Sequence, residues 1–373
     1  MLYDRALHEP LTETPWDEAR VRDAIAAVVA DADAAYEPDA LWPAHDWDGY
    51  LAALPLKSFY VGAAGVAWAL ERLGRRGFES SLDLRDVAAR ALERFRAEPD
   101  FMAGETLPAE KRSSLFHGET GVAFVAWCLA PDEQLEARLL GLVRSNVGNE
   151  ANELMWGVAG TLLVARTMHE RTNAPRWADA VEESAAALRA ERGADGLWTQ
   201  QLWGQSFQAL APSHGLVGNV RALGEVGTAS EVLRDRATHG DGRANWGSEG
   251  QLQWCVGAPG IVTGAASYLD EDLLLAGAEL VWEAGPAHAT EKGAGLCHGT
   301  AGNGYALLAT FTRTKDERWL ARARAFAVHA LEQAARLPGR YSLFTGGVGA
   351  ALFAADCLDA RPRFPVLDGL EPA

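Results

Sequence analysis

The sequence has few basic residues for its length. Its 373 residues include 34 Lys and Arg against 51 Asp and Glu, which gives a formal net charge of −17. Nucleic acids and anionic membrane surfaces are bound through clusters of Lys and Arg. The charge balance therefore argues against both kinds of partner.

Long apolar runs are also missing. The first residues, MLYDRALHEPLTETPWDEARV, are polar and charged and lack the apolar stretch of a secretory signal. Nowhere does the chain contain the roughly 18–20 uncharged apolar residues that are needed to cross a bilayer. We therefore expect no membrane span and a cytoplasmic protein.

Cysteine is scarce, with residues at 128, 255, 297 and 357 only. Four cysteines are too few for a disulfide framework in a chain of this length, so they are expected to be reduced thiols or metal ligands. Two of them have similar surroundings. WCVGAPG spans 254–260 and LCHGTAG spans 296–302, which places Cys255 and Cys297 42 positions apart by subtraction.

Glycine, by contrast, is abundant and recurs in one pattern. Seven segments consist of a polar or aromatic residue, Gly-x-x-Gly and an apolar, Ala-rich run. Their first glycines are Gly62, Gly118, Gly157, Gly215, Gly257, Gly299 and Gly346. The intervals are 56, 39, 58, 42, 42 and 47 residues by subtraction. Periods of this size mark repeat architectures.

Each repeat is predicted to be a helical hairpin. The runs after the glycines are apolar nearly all round, as in a buried helix, whereas stretches such as LRDVAARALERF (84–95) are amphipathic. Strand-like alternation and hairpin turns such as Asn-Gly are scarce. Because the terminal repeats are as apolar as the others, an open solenoid would expose apolar surface at both ends, where solenoids normally carry polar capping repeats. We predict an all-α fold, an α/α toroid of about seven hairpins. It forms one domain over 1–373, in which 1–56 is an N-terminal helical segment leading into the first repeat.

Equivalent positions in a ring lie at the same height, so the residues before each first glycine should surround one opening. One place before the glycine, the series is Val61, His117, Trp156, His214, Val256, His298 and Thr345. Two places before, it is Tyr60, Phe116, Met155, Ser213, Cys255, Cys297 and Phe344. The fourth to sixth repeats are thus predicted to bring His214, Cys255 and the pair Cys297–His298 together.

Two cysteines and a histidine form one known ligand set of catalytic zinc, with a fourth position open for water or substrate. Thiolates favour zinc over magnesium or calcium. The alternative is that both cysteines are small buried residues and that His298 only caps a helix. Cys128 and Cys357 lie inside apolar runs and are expected in the core.

His214 is the candidate general acid–base, because an imidazole both gives and takes a proton near neutral pH. The alternative is a histidine that hydrogen-bonds loop carbonyls. His117 has the same register in the second repeat, and Glu153 could reach the opening as a carboxylate. Several tryptophans are expected either to wall a peptide-sized cleft or to fill gaps between helices: Trp156, Trp198, Trp203, Trp246 and Trp254.

The segments WCVGAPG, SHGLVGN and GLCHGTAGNGY closely resemble the lanthionine synthetase C-like family, and all seven glycine segments fit its pattern. The resemblance covers nearly the whole chain. It implies an α/α toroid around a central zinc ion. The ligands implied are Cys255, Cys297 and His298, with His214 as the acid–base histidine.

The resemblance also implies a class of reaction. The bacterial cyclases of this family add a peptide cysteine thiol to dehydroalanine or dehydrobutyrine and so close thioether rings. Its stand-alone members bind glutathione and add it to dehydroamino acids in damaged proteins. This sequence carries Glu153, Gln251 and Val256 where the cyclases carry Asp, Arg and Tyr, and its motifs are more similar to those of the stand-alone branch.

The sequence therefore predicts a zinc-dependent enzyme that adds a thiol to a dehydroamino acid in a peptide or protein. Glutathione, another small thiol or a peptide cysteine would supply the sulfur. The residues expected around the substrate are Glu153, His117, Trp156, Gln251 and Trp254.

Three alternatives are considered. One is a non-catalytic module that binds zinc and thiol peptides, and another is a cyclase with a dedicated precursor. An α/α-barrel glycosidase is disfavoured, because only Glu119 and Glu153 are acidic among the residues that flank the glycines.

Overall fold

The computed structural model describes residues 2–49, 54–100, 111–247, 250–289 and 293–370. In chain order, the helices are α1 (Glu18–Ala35), α2 (Asp46–Gly49), α3 (Ala63–Gly74), α4 (Leu84–Ala97), α5 (Glu119–Leu129), α6 (Glu133–Ser145), α7 (Val158–Thr172), α8 (Pro175–Ala190), α9 (Leu216–Leu223), α10 (Ala229–Asp235), α11 (Ala258–Ala265), α12 (Glu271–Ala284), α13 (Thr300–Thr314), α14 (Glu317–Arg336) and α15 (Gly347–Leu358).

The odd-numbered helices from α3 to α15 are the inner helices, and each begins directly after the first glycine of a repeat. They pack side by side, and α3 contacts α5 on one side and α15 on the other, which closes the ring. The even-numbered helices from α4 to α14 pack around them. The predicted α/α toroid is confirmed.

The outer partner of the last inner helix comes from the start of the chain. Helix α1 packs against α14 and α15, so it completes the outer layer at the seventh repeat. The N-terminal segment predicted over 1–56 therefore contributes the outer helix of the last repeat, α1, and also leads into the first repeat. Residues 1 and 50–53 of that segment lie outside the described residues.

The glycine pattern has a steric cause that recurs in every repeat. A Cβ on the second glycine of each motif would collide with the carbonyl oxygen of the residue six positions earlier. At Gly65 that oxygen belongs to Phe59, and at Gly260 it belongs to Trp254. Only glycine lets the loop before each inner helix fold back this closely onto the first helical turn.

The residues two places before each first glycine are joined by backbone hydrogen bonds across most of the ring. Cys297 N–H donates to Phe344 O (2.7 Å), Phe344 N–H to Tyr60 O (3.3 Å) and Tyr60 N–H to Phe116 O (3.0 Å). The bonds from Phe116 N–H to Met155 O (3.3 Å) and from Cys255 N–H to Cys297 O (3.4 Å) extend the series. This register places side chains from distant repeats at one level.

Two short antiparallel hairpins precede the fourth and fifth inner helices. Strands β1 (Gln200–Leu202) and β2 (Gln205–Phe207) form one, and β3 (Thr238–Gly240) and β4 (Arg243–Asn245) form the other. The turn of the second hairpin is Asp241-Gly242, a dipeptide that favours such turns. The sequence thus contained one such turn signal, and hairpins are few among the described residues.

None of the four cysteines, all of which lie in the described part of the chain, forms a disulfide. Cys357 is buried in α15, and Cys128 is half-buried at the end of α5. Among the described residues, no helix combines the length and the apolar character that crossing a membrane would need.

The C-terminal segment fills the centre of the barrel. Phe364 is fully buried and stacks on Trp254, with ring centroids 4.8 Å apart, and it also contacts Tyr305 at 4.9 Å. The segment is held from the surrounding helices, since Trp68 Nε1–H donates to Leu370 O at 2.6 Å. The toroid is therefore packed along its axis below the loops that precede the inner helices.

Phe364→Ala is expected to lower the free energy of unfolding by about 3–5 kcal/mol, because the ring would leave a cavity inside a closed barrel. Urea denaturation followed by circular dichroism measures the change. Arg361→Ala, at an exposed position of the same segment, should stay within about 0.5 kcal/mol of the parent protein. A loss below about 1 kcal/mol for Phe364→Ala would show that the segment does not support the barrel.

Candidate metal centre and acid–base site

Three candidate metal ligands lie together on the side of the ring where the inner helices begin. The sulfur atoms of Cys255 and Cys297 and a ring nitrogen of His298 all lie within 4.8 Å of one another. Cys297 Sγ and His298 Nε2 are 3.7 Å apart. The ring register therefore brings together residues that stand 42 positions apart in the sequence, by subtraction.

The donor set fits zinc. Bond lengths of about 2.3 Å to sulfur and about 2.05 Å to nitrogen in a tetrahedral site would separate the two donors by about 3.6 Å. The observed 3.7 Å between Cys297 Sγ and His298 Nε2 agrees with that separation. Two thiols and one imidazole leave a fourth position of the tetrahedron open for a further ligand.

The loop before α11 is shaped so that Cys255 can face this cluster. Gln253 and Val256 exchange backbone hydrogen bonds of 2.9 and 3.1 Å, which form a tight turn with Cys255 inside it. Gly257 then takes φ +101°, and a Cβ there would lie 2.5 Å from Gln251 O. Glycine at this position is therefore a requirement of the turn that presents the sulfur.

The cluster favours a thiolate. The pKa of the Cys255 thiol lies well below its ordinary value because Cys297 hydrogen-bonds to it, which outweighs the opposing effect of burial. The charges of His298 and His214 lower this pKa further. Since metal ligation requires the thiolate, the surroundings favour the form of Cys255 that a metal ion would bind.

Two residues that contact the cysteines were not predicted as site residues. The Tyr60 hydroxyl is hydrogen-bonded to Cys297, and burial followed by the nearby thiol charges raises the pKa of Tyr60 well above its usual value. Cys255 Sγ lies 3.3 Å from Gln253 Oε1, which accepts a hydrogen bond from the sulfur in its thiol form. Tyr60 stands two places before Gly62, in the register of both cysteines, so the repeat alignment contained the signal for it.

His214 and Glu153 form a buried pair. Glu153 has no exposed surface, and its Oε2 lies 2.8 Å from His214 Nδ1. The carboxylate also accepts backbone N–H groups of Met155 (2.9 Å), Trp156 (2.5 Å) and Gly157 (3.1 Å) at the start of α7. These bonds fix the carboxylate, and the carboxylate in turn orients the imidazole.

The Glu153 carboxylate makes His214 easier to protonate. Burial alone would lower the pKa of His214, but the hydrogen bond and the charge of Glu153, with a further contribution from Cys255, raise it above its ordinary value. The His214 side chain remains 19% exposed, so a ligand can reach it. An imidazolium beside an opening is suited to give up a proton.

His117 has different surroundings. Its ring stacks on Trp156 with centroids 4.4 Å apart and lies 4.9 Å from the ring of Tyr60. Burial, and then the charge of His214, lower the pKa of His117 to about 3. At neutral pH it is an uncharged residue that packs beside the site, and Trp156 is buried with it.

Two other residues were expected near a substrate, Trp254 and Gln251. Trp254 is fully buried, and its indole points into the barrel against Phe364 and Phe344. The Gln251 backbone carbonyl belongs to the turn that contains Gly257 and accepts a hydrogen bond from Asn245 Nδ2 (3.4 Å).

The structure separates the two acidic residues that a glycosidase would use. Arg96 of α4 and Arg138 of α6 bind the Glu119 carboxylate at 2.8 and 2.5 Å. Glu119 is therefore tied to the outer helices, whereas Glu153 is paired with His214. The two carboxylates are not arranged as a pair about one cleft.

Comparisons with known proteins agree with the motifs. The family model described as "Lanthionine synthetase C-like protein" matches residues 56–368. A Danio rerio protein named "Glutathione S-transferase LANCL1" is 39% identical over 131 residues, which cover 31% of this chain and 31% of that protein. The match thus spans about a third of the length of this relative.

A solved structure named "Nisin cyclase" has a similar fold. Its TM-score is 0.59 at 13% identity, and the alignment covers 91% of this chain and 94% of that one. At this identity the likeness concerns the fold alone. Since the family match extends over most of the chain, the predicted resemblance is confirmed, and the protein belongs to the lanthionine synthetase C-like family.

Proposed function

We propose that the protein is a zinc-dependent enzyme that adds a thiol to a dehydroamino acid residue of a peptide or protein and so forms a thioether. The observation that carries this proposal is the placement of two distinct groups at one level of the ring. One is the cluster of Cys255, Cys297 and His298, and the other is the buried Glu153–His214 pair.

The two groups have separate tasks. Zinc bound by the cluster would supply a lowered thiol pKa and hold the substrate sulfur as a nucleophile. The sulfur forms a bond to the β-carbon of the dehydroamino acid as the carbon–carbon π bond breaks. His214 then gives its proton to the α-carbon of the enolate, and the proton released by the thiol restores the imidazolium.

Glu153 serves this step by position and charge. It holds His214 Nδ1 at 2.8 Å, so the other ring nitrogen, Nε2, is the atom that delivers the proton. Because Glu153 is fully buried and already accepts three backbone N–H groups, its orientation does not depend on solvent. Its negative charge also stabilises the imidazolium between turnovers.

A small thiol is the preferred donor in this proposal, and glutathione is the first candidate. The Danio rerio relative carries the name of a glutathione S-transferase, and the motifs around Cys255 and Cys297 are more similar to those of stand-alone family members than of cyclases. The acceptor would be a peptide or protein that contains dehydroalanine or dehydrobutyrine.

Mass spectrometry of a dehydroalanine peptide tests the proposal. Incubation with the zinc-loaded protein and glutathione should add the mass of one glutathione faster than the uncatalysed reaction does. A peptide that also carries a cysteine and loses its free thiol without a mass change would instead identify a cyclase. Stoichiometric thiol binding with no adduct from either peptide would identify a non-catalytic module.

Tyr60→Phe tests the hydrogen bond to Cys297. We expect zinc affinity to fall about tenfold, because outer partners of metal ligands typically contribute 10–100-fold. Competition with a chelator of known affinity measures the change. Phe at this position keeps the ring contacts with Phe344 and His117, so the fold should persist. Unchanged affinity would show that the hydroxyl does not act on the metal ligands.

A further inference from the structure

Trp203 lies at the tip of the β1–β2 hairpin with its side chain 55% exposed. Among the side chains whose burial the structure describes, no other Phe, Tyr or Trp is as exposed. Indole carries one of the largest apolar surfaces of any side chain, so leaving it in water forgoes a large gain from burial. The exposed part of the indole therefore contributes nothing to the stability of the folded chain.

The backbone at Trp203 has a second disadvantage. Leu202 pairs with Gln205, so Trp203 and Gly204 form a two-residue turn, with φ values of 53° and 70°. Such turns favour Asn-Gly or Gly-Gly, and a bulky side chain in the left-handed region is a conformational outlier. Outliers of this kind concentrate at ligand-binding and catalytic sites.

The base of the hairpin is held firmly against the fold. Gln200 is fully buried, and its side chain donates to Asn152 O (3.3 Å) and accepts from Ala209 N–H (3.1 Å). Gln201 N–H donates to Glu150 O at 3.0 Å. The exposed indole is therefore presented on a fixed support.

The indole borders the acid–base residue. Its ring centroid lies 5.3 Å from that of His214, with the two ring planes at 75°. Phe207 lies parallel to the indole on the same hairpin, with centroids 6.1 Å apart. Trp203 thus forms an apolar surface beside the opening through which a ligand reaches His214.

We propose that Trp203 determines specificity by stacking on the dehydroamino acid residue of the acceptor next to His214, an inference that rests on the proposed function. The α-carbon of a dehydroamino acid is trigonal and conjugated with its amide, so the residue is flat, whereas a saturated residue is tetrahedral. A flat conjugated group stacks well on an indole. The α-carbon must lie beside His214 to receive the proton, and Trp203 is in contact with His214.

Equilibrium binding without any thiol separates this inference from catalysis. Isothermal titration would compare a peptide containing dehydrobutyrine with the same peptide containing 2-aminobutyrate, which differs only by two hydrogens. The β-methyl group slows addition of the protein's own thiols. The proteins are the parent chain, Trp203→Asn, Trp203→Phe and, as a control, Val226→Ala, another exposed apolar side chain located beyond the end of α9.

Trp203→Asn should bind the dehydrobutyrine peptide roughly three- to tenfold more weakly, and Trp203→Phe should retain most of the affinity. Binding of the 2-aminobutyrate peptide should change little. Since Asn tolerates the left-handed turn, Trp203→Asn should unfold at the same or a higher temperature than the parent, which excludes misfolding as the cause. Val226→Ala should match the parent in both titrations.

Equal affinity of Trp203→Asn and the parent for the dehydrobutyrine peptide would overturn the inference, and so would equal losses for both peptides or no binding by the parent. If the parent binds the dehydrobutyrine peptide through Trp203 but forms no thioether when glutathione is added, the inference stands. In that case it is the proposed reaction that fails.

Discussion

Replacing Cys297 with Ala should abolish stoichiometric zinc binding. The variant keeps Cys255 and His298 but loses one of the three donors that lie within 4.8 Å of one another. Because the remaining pair cannot complete the site, the loss of affinity should exceed the roughly 10–100-fold effect of altering an outer partner. Metal analysis after dialysis should find about one zinc per chain in the parent and almost none in the variant.

Because Cys297→Ala loses its zinc, its rate of thioether formation should fall to that of the uncatalysed reaction. Cys128→Ala provides the matched control, since it removes a half-buried thiol at the end of α5 that is not part of the cluster. That control should retain both zinc and turnover. If Cys297→Ala kept one tightly bound zinc, the ligand assignment would be wrong.

The sequence alone predicted that four residues of the site lie together: Cys255, Cys297, His298 and His214. In a closed ring, residues at the same position of each repeat lie at the same level along the ring axis. Nothing in either cysteine segment alone shows that the two sulfurs meet. The repeat period supplied that information, and the backbone hydrogen bond from Cys255 N–H to Cys297 O is its physical expression. In a fold without repeats, the same spacing would have carried little information.

Other parts of the site could not be derived in this way. Tyr60 occupies the same repeat position as the two cysteines, but an aromatic residue before an apolar helix usually indicates core packing. Only the structure shows that its hydroxyl is hydrogen-bonded to Cys297. Trp203 depends on a hairpin whose turn sequence, Trp-Gly, is not a typical turn signal. Phe364 lies in a segment without periodicity, so its place in the barrel depends on the finished ring.

The pairing of His214 with Glu153 was also hidden from the sequence. Glu153 stands four places before Gly157, one turn away from the residues that face the opening. It reaches His214 because the loop folds back to cap α7, with three backbone N–H groups on the carboxylate. Glu153 thus caps a helix and also holds His214, and the second contact is the one that the proposed reaction uses.

His214→Ala should therefore separate chemistry from metal binding. Zinc content should stay at the parent level, because His214 is not one of the three clustered donors. Turnover should fall about 10²–10⁴-fold, the usual contribution of a positioned acid–base group. Single-turnover thioether formation by the zinc-loaded variant measures the loss. Full turnover with zinc retained would remove His214 from the mechanism.

Glu153→Gln should then move the pH dependence in a direction that follows from the charges. The Glu153 carboxylate raises the pKa of His214 against the effect of burial, so the imidazolium persists to a higher pH in the parent protein. Without that negative charge the pKa falls, and the loss of activity on the alkaline side of the profile should begin at lower pH. The ratio of kcat to KM measured across pH reports the shift. Glu150→Gln, an exposed neighbour, should leave the profile unchanged, and a Glu153→Gln profile that coincided with it would mean that another group supplies the proton.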